Sequence, residues 1–429
     1  MKSSIAEFWK LQPSRTKNKI KIVGSNDSSV IDTFENALLE VSFVDKSIRP
    51  KWLAENEKIK LIVPRICDVK MDGEVLLEFD LDGKDIPGII LNGDEIIFTF
   101  DPDATVDNLM QENYLAEQGR PFFTYSPIKY YNFPKFVRNN VFKLSMFLKS
   151  FTPDSGFPSW PVEKSVELIR HLYLNSLKLC GSVKTKKFWP QNKKFAVCMT
   201  HDIDSRSGFE WGERFLEIEQ SKKIKSAWNI VSHKYKIDFD FLRQMKAAGC
   251  EIGSHGDDHS GMLPYLEGRE IERRLKASHT KLKEFKPAGF RSPQLQRNKK
   301  LLAKIAKVFT YDSSVPDTEI FSPFRKRSGC CTIFPFMTHG IVELPMTMPV
   351  DYTMQMMGFD KGKMIGHWQT KLEWIESIGG LAMFNFHPDD YISGNNDCLE
   401  IYNWLLRKLK RKNAWFALPG EAAKWWKRR

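Results

Sequence analysis

The chain has no apolar run approaching the roughly 18 residues that a helix needs to cross a bilayer, so nothing in it reads as a membrane span. It also has no C-x-x-C pair. Its seven cysteines, an odd number, are scattered as Cys67, Cys180, Cys198, Cys250, Cys330, Cys331 and Cys398. Several fall in apolar strand-like runs, where reduced core thiols fit better than a disulfide framework. The opening MKSSIAEFWKLQPSRTK lacks a continuous apolar core and a small-residue cleavage site and does not read as a secretory signal. A cytoplasmic location is the expectation. Zinc-finger spacing and RNA-binding signatures are missing too, which argues against a nucleic-acid partner. There is no internal repeat and no low-complexity tract.

What is present points to a folded enzyme-sized chain. At 429 residues, 42% hydrophobic and 13% aromatic, it has material for two domains, or for one barrel with an appendage. The formal charge of +12 gathers late, in Arg407, Lys408, Lys410, Arg411 and Lys412, then Lys424, Lys427, Arg428 and Arg429. Such a surface attracts polyanions or an anionic membrane face. With Trp425 and Trp426 it suggests peripheral contact at the inner membrane face. The plainer reading is a packed terminal helix with solvated lysines.

Two regions differ in pattern. Residues 58–65, 74–80 and 94–100 read as short strands between Gly, Asp and Pro. An aromatic, proline-bearing stretch, 120–136, follows, and 162–179 has helical spacing. The charged segment 181–194 is the expected boundary, giving an accessory region, 1–190, and a second domain, 191–429. In the second domain apolar runs at 195–200, 226–231, 250–254, 288–291, 308–311, 341–345, 381–386 and 414–418 alternate with amphipathic stretches. That alternation predicts an α/β fold with a mainly parallel sheet, doubly wound or closed into a barrel. Chemistry then belongs at the carboxyl ends of the strands.

Polar residues gather at those ends: His201, Asp202 and Asp204 in CMTHDIDSR, His255 and His259 in SHGDDHS, Arg291 in RSPQ, Asp312 in YDSS, and His387 in NFHPDD. Asp202 and Asp204, two apart on a strand, point the same way, while His201 faces the other side. His255 and His259 share a face if their segment turns helically. Two neutral imidazoles and a carboxylate form a common zinc set that leaves a position open for water.

The series T-x-D-x-D, S-H-x-x-x-H, R-x-P, Y-D-S and a strand-end histidine resembles the polysaccharide deacetylases, carbohydrate esterase family 4. The D-x-D spacing is similar to the peptidoglycan-deacetylase and allantoinase-like branch. The resemblance covers about 195–426, including VELPMT and WFALPGEAAKWW, and leaves out the first 190 residues. It implies a distorted (β/α) barrel with a divalent metal, zinc or another transition ion, on Asp204, His255 and His259. Asp202 would be the general base, Arg291 its partner, and His387 the general acid, tuned by Asp312. The backbone N–H of Gln294 would stabilise the oxyanion. Two departures stand out: Gln294 follows Pro293 where an aromatic is common, and DSSVPD replaces an Asp-Trp pair.

The chemistry agrees with the resemblance. Amide hydrolysis needs an activated water, oxyanion stabilisation, and an acid distinct from the base. The expected reaction is removal of acetyl from an N-acetylated amino sugar, the partner being a carbohydrate. A small ureido or cyclic amide is the alternative substrate, and a silent glycan-binding relative the alternative class.

Overall fold

The computed structural model describes residues 4–11, 20–115, 155–320 and 327–429. The aromatic stretch 120–136 lies outside them. Among the described residues, no helix is long and apolar enough to cross a membrane.

The accessory region is built on a six-stranded sheet. After helix α1 (Ser4–Trp9) come β1 (Ile20–Ile22), β2 (Val30–Phe43), β3 (Lys60–Val69), β4 (Glu74–Leu81), β5 (Lys84–Asn92) and β6 (Glu95–Phe98). Their spatial order is β1-β6-β5-β4-β2-β3. The sheet curls, because Cys67 N on edge strand β3 donates to Thr99 O just past β6. Helices α2 (Pro102–Met110) and α3 (Ser165–Leu179) follow. Three of these strands and α3 are legible in the sequence. The longest strand, β2, is not: Asp32, Glu35 and Asn36 interrupt its apolar pattern, and its first half is largely solvated.

The second domain alternates strand and helix: β7 (Phe195–Ile203), α4 (Ser207–Ser221), β8 (Ser226–Ile230), α5 (Phe239–Ala247), β9 (Glu251–Ser254), α6 (Gly268–Lys281), β10 (Gly289–Phe290), α7 (Lys299–Ile305), β11 (Tyr311–Asp312), β12 (Phe336–Thr338), β13 (Ile341–Glu343), α8 (Asp351–Met356), α9 (Lys361–Ile378), β14 (Leu381–Phe386), α10 (Asn396–Lys410), β15 (Ala414–Phe416) and α11 (Pro419–Arg428). The sheet order is β12-β13-β11-β10-β9-β8-β7-β14, with β15 also on β7. Every pairing is parallel except β12 with β13. β7 through β9 and β14 are buried along their whole length, as strands covered on both faces are.

The barrel is distorted at its closure. The gap between β13 and β14 is bridged by irregular bonds, Met348 N to Met383 O (3.2 Å) and Met383 N to Thr347 Oγ1 (2.9 Å). At the other edge of β7, β15 pairs with residues 195–197 and β8 with 199–203, so the two share that edge. The terminal helix α11 is packed: Trp425 Nε1 donates to Phe188 O (2.8 Å), and the Trp426 ring lies among Phe188, Trp189 and Phe334.

One hydrophobic core runs through both regions, and α3 carries a buried polar tie between them. Arg170 on α3 donates to Glu167 Oε1 (3.0 Å) and Thr332 Oγ1 (2.9 Å), and its guanidinium lies 3.8 Å from the centre of the Phe8 ring. Burial pushes the Glu167 carboxyl up to about 6, against the pull of Arg170. Removing one partner of such a pair leaves an uncompensated buried charge. Arg170→Ala is therefore expected to lower unfolding free energy by about 3–5 kcal/mol, read by denaturant titration. A loss under about 1 kcal/mol, the usual range of exposed pairs, would contradict this.

Candidate metal centre and acid–base site

β7 delivers both carboxylates to the mouth, and strand register supplies Asp202 with its partners. In the β7–β8 pairing Asp202 lies opposite Asn229, and in the β7–β14 pairing Thr200 lies opposite Asn385. Asp202 Oδ1 accepts from Asn229 Nδ2 (2.8 Å) and Arg291 Nη1 (2.9 Å), and Oδ2 accepts from Asn385 Nδ2 (2.7 Å). Gly253 on β9 makes room for this arrangement, since a Cβ there would lie 2.3 Å from Asn229 Oδ1.

Arg291 is fully buried. Its Nη1 also donates to Thr200 Oγ1 and Asn385 Oδ1, both at 2.8 Å. Burial alone would raise the Asp202 carboxyl, but Arg291, the two imidazoles beside it and the Asn229 bond together hold it well below the usual range. It is ionised at every working pH.

Asp204 is saturated differently. Its Oδ1 is buried and has no hydrogen-bond partner among the described residues. His259 Nε2 lies 3.0 Å and His255 Nε2 3.4 Å from it, and the three donor atoms fall within 4.8 Å of one another. His255 Nδ1 stands 2.9 Å from Arg291 O; a carbonyl only accepts, so Nδ1 carries a hydrogen, and in the neutral ring Nε2 keeps its lone pair. That lone pair faces Asp204 Oδ1, with Asp202 Oδ2 at 3.8 Å. Acceptors pointed at one another are repulsive unless a cation stands between them. Among the described residues this is the group that could hold a metal ion, and it suits a divalent one.

The histidine pair does not meet through a helical turn. The chain after β9 runs as an irregular loop in which Gly256 has φ +74° and His259 φ +56°. The left-handed Gly256 reverses the backbone at once and returns His259 to His255, ring centroids 5.1 Å apart. A Cβ on Gly256 would sit 3.0 Å from Pro293 Cγ, which shows how closely the R-x-P segment packs on this loop. In that segment Gln294 is exposed, with φ +55°. The N–H groups of Leu295 and Gln296 donate to Ser292 O and Pro293 O, while that of Gln294 makes no hydrogen bond among the described residues.

His387 closes the site, and its partner corrects the sequence expectation. Its Nδ1 donates to Asp351 Oδ1 (2.6 Å), and its backbone N–H to Asp351 Oδ2 (2.8 Å). Asp312, expected in that role, is buried beside Glu343 one strand away and accepts from Ser314 Oγ (2.7 Å). Asp312 ends β11, but its carboxyl meets that of Glu343, its cross-strand neighbour on β13, and makes no hydrogen bond to His387 among the described residues. Burial pushes it up to about 6, and burial together with the Asp312 charge pushes the facing Glu343 carboxyl up as well. Asp351, at the start of α8, carries no spacing motif that would have marked it.

Burial would lower the His387 imidazole, but Asp351 first, then Asp204 and Asp202, raise it to about 10. It is therefore an imidazolium, with Nε2 3.8 Å from Asp202 Oδ2. Asp389, also missed, accepts the Asp204 backbone N–H (3.1 Å) and the Ser205 hydroxyl (2.5 Å). Asn229 and Asn385 had a readable signal: each is a polar residue inside an otherwise apolar buried strand. His201 faces away from the mouth, bonded to Glu219 (2.7 Å) and stacked on Trp228.

The purified protein is expected to retain one divalent ion per chain by plasma mass spectrometry. His255→Ala should weaken that affinity at least as much as the roughly 10–100-fold that loss of an outer partner costs. Retention at wild-type affinity would remove this triad as the site.

The polysaccharide deacetylase family model matches residues 190–312, a stretch that holds the three candidate ligands, Asp202 and Arg291 but not His387 or Asp351. No curated protein matches. Among solved structures, the chain is similar to a putative polysaccharide deacetylase from Mycobacterium smegmatis, at 20% identity over 55% of this chain and 91% of that one, TM-score 0.44. It is similar to PuuE allantoinase at 17% identity over 56% and 92%, TM-score 0.43. It is also similar to a probable polysaccharide deacetylase from Pseudomonas aeruginosa PAO1, at 14% identity over 57% and 95%, TM-score 0.46.

Proposed function

We propose that this protein is a metal-dependent amide hydrolase that removes the acetyl group of an N-acetylated amino sugar in a glycan or glycan precursor. The observation that carries the reading is the position of Asp202. Its Oδ2 stands 3.8 Å from a lone-pair imidazole on one side and 3.8 Å from an imidazolium on the other. Asp204, His255 and His259 would hold the metal. When bound, a divalent cation supplies Lewis acidity, which makes a water more acidic and polarises a carbonyl.

Asp202 accepts the proton of the attacking water, and Arg291, Asn229 and Asn385 keep its carboxylate aimed and ionised. His387 donates its Nε2 proton to the departing amine, and Asp351 holds that ring charged and oriented through Nδ1. The unpaired N–H of Gln294 is available to the developing oxyanion. Base and acid are thus separate groups whose surroundings drive their proton affinities apart.

The test is acetate release from N-acetylglucosamine-containing glycans by the metal-loaded chain. Asp202→Asn should lower kcat by about 10²–10⁴-fold, the usual weight of a general base. No release with any divalent metal, or an Asp202→Asn variant equal to wild type, would contradict the proposal. Asp351→Asn removes the charge that raises His387, so the acid deprotonates earlier. The alkaline limb of the pH–rate profile should then move to lower pH, and an unmoved limb would show that Asp351 does not set it.

A further inference from the structure

Because every strand of the barrel except β12 runs the same way, its connecting segments sort onto two ends. Segments that follow a strand build the mouth, and segments that lead from a helix into a strand build the opposite end, the base. The mouth segments 204–206, 231–238, 255–267, 291–298, 344–350 and 387–395 are balanced, with seven acids against five lysines and arginines. The base linkers 222–225, 248–250, 282–288, 306–310, 379–380 and 411–413 read KKIK, AGC, LKEFKPA, AKVFT, GG and RKN. They hold eight lysines and arginines and a single acid, Glu284, which Arg243 Nε already binds (2.8 Å). A helix dipole favours cations within the last turn, but these residues lie past the helix ends.

Two more segments add to the base. Helix α11 crosses it: Gly420 N donates to Glu251 Oε2 (2.9 Å), and Glu251 is the first residue of β9. At the far end of α11, Arg429 donates to Lys186 O (3.1 Å) and Lys187 O (3.2 Å), which brings 184–187 (KTKK) alongside. Lys223, Lys225, Lys286, Arg411, Lys424 and Lys427 are exposed and enter no ion pair among the described residues. Cations on the helices behave differently: Arg273 and Arg274 pair with Glu270, and Lys361 with Asp397. The Trp425 indole is held against the protein through Phe188 O, so any attraction at the base rests on charge rather than on insertion.

From this placement we propose that the base of the barrel docks on an anionic lipid surface and turns the mouth toward the solvent. No residue of the metal centre takes part, so the docking is independent of the deacetylase reading. Seven of the eight linker cations are lysines, compact charges on flexible stems. Such charges suit a diffuse layer of headgroups, each adding to an attraction that acts at close range and that salt weakens. A nucleic acid would call for a groove that tracks its backbone, with arginine forks on the phosphates. The base cations are instead spread over linkers far apart in the sequence.

The experiment is co-sedimentation of the full chain with vesicles of phosphatidylcholine, alone or mixed with phosphatidylserine, at rising salt. Binding is expected to the mixed vesicles only, and to weaken as salt rises. Lys223→Glu/Lys286→Glu, on two base linkers, should weaken it about tenfold or more, the weight of two lysines near an anionic surface. Arg206→Glu/Lys236→Glu makes the same charge change at exposed positions of the mouth and should bind nearly as wild type does. Circular dichroism checks that both variants are folded; if the first is not, Lys223→Gln/Lys286→Gln should show a smaller loss in the same direction. Equal loss in the base and mouth variants would mean that net charge alone is sensed, and would overturn the docked face. The proposal also fails if the chain ignores mixed vesicles, binds both kinds alike, or prefers single-stranded DNA to either.

Discussion

The site depends on a close juxtaposition: a buried carboxylate oxygen and two imidazole nitrogens held within reach of one another. The Arg291 carbonyl holds a hydrogen of His255 on Nδ1, so in the neutral ring Nε2 is an acceptor. Asp204 Oδ1 beside it has no hydrogen-bond donor among the described residues. A cation turns this closeness into coordination, and the surrounding fold makes sense as a means of holding these atoms until one binds. The two aspartates of β7 divide their work by hydrogen-bond count. Asp202 accepts three hydrogen bonds, from Arg291, Asn229 and Asn385, and only one of them reaches Oδ2, whereas Asp204 leaves Oδ1 to the triad.

The same division separates the proposed proton acceptor from the proposed proton donor. Asp202 and His387 lie close enough to interact, yet each is held in its resting charge state by a buried partner of opposite charge. Arg291 keeps the carboxylate ionised and Asp351 keeps the imidazole protonated. Arg291 follows β10 and Asp351 opens α8, so the barrel mouth is where four distant parts of the chain meet. Parallel strands buried on both faces make that meeting rigid, because a shift of one strand would displace its polar partner from the next.

Much of this was legible in the sequence, and the failures have physical causes. D-x-D at a strand end fixes two carboxylates on one face, and the apolar runs before Asp202, His255, Arg291 and His387 place all four on one rim. The histidine pair was expected on a helical turn, but Gly256 can enter the left-handed region and the chain takes the tighter loop. Asp312 ended a strand as expected, yet a strand end fixes only the rim, not which neighbour a side chain meets. Asp351 lies 36 positions from His387 in the chain, and only the fold brings them into contact. In the accessory region β2 escaped notice because a half-solvated strand with charged interruptions looks like a loop.

The accessory region shares a core with the barrel, and its Glu112 accepts from Arg297, which also donates to Leu295 O in the turn beside Gln294. All of these arrangements answer to the metal triad. X-ray absorption at the zinc edge of the reconstituted chain tests it most directly. The account predicts two imidazole nitrogens with carboxylate or water oxygen at about 2.0–2.2 Å. A shell of oxygens alone, or sulfur at about 2.3 Å, would place the ion elsewhere and contradict it.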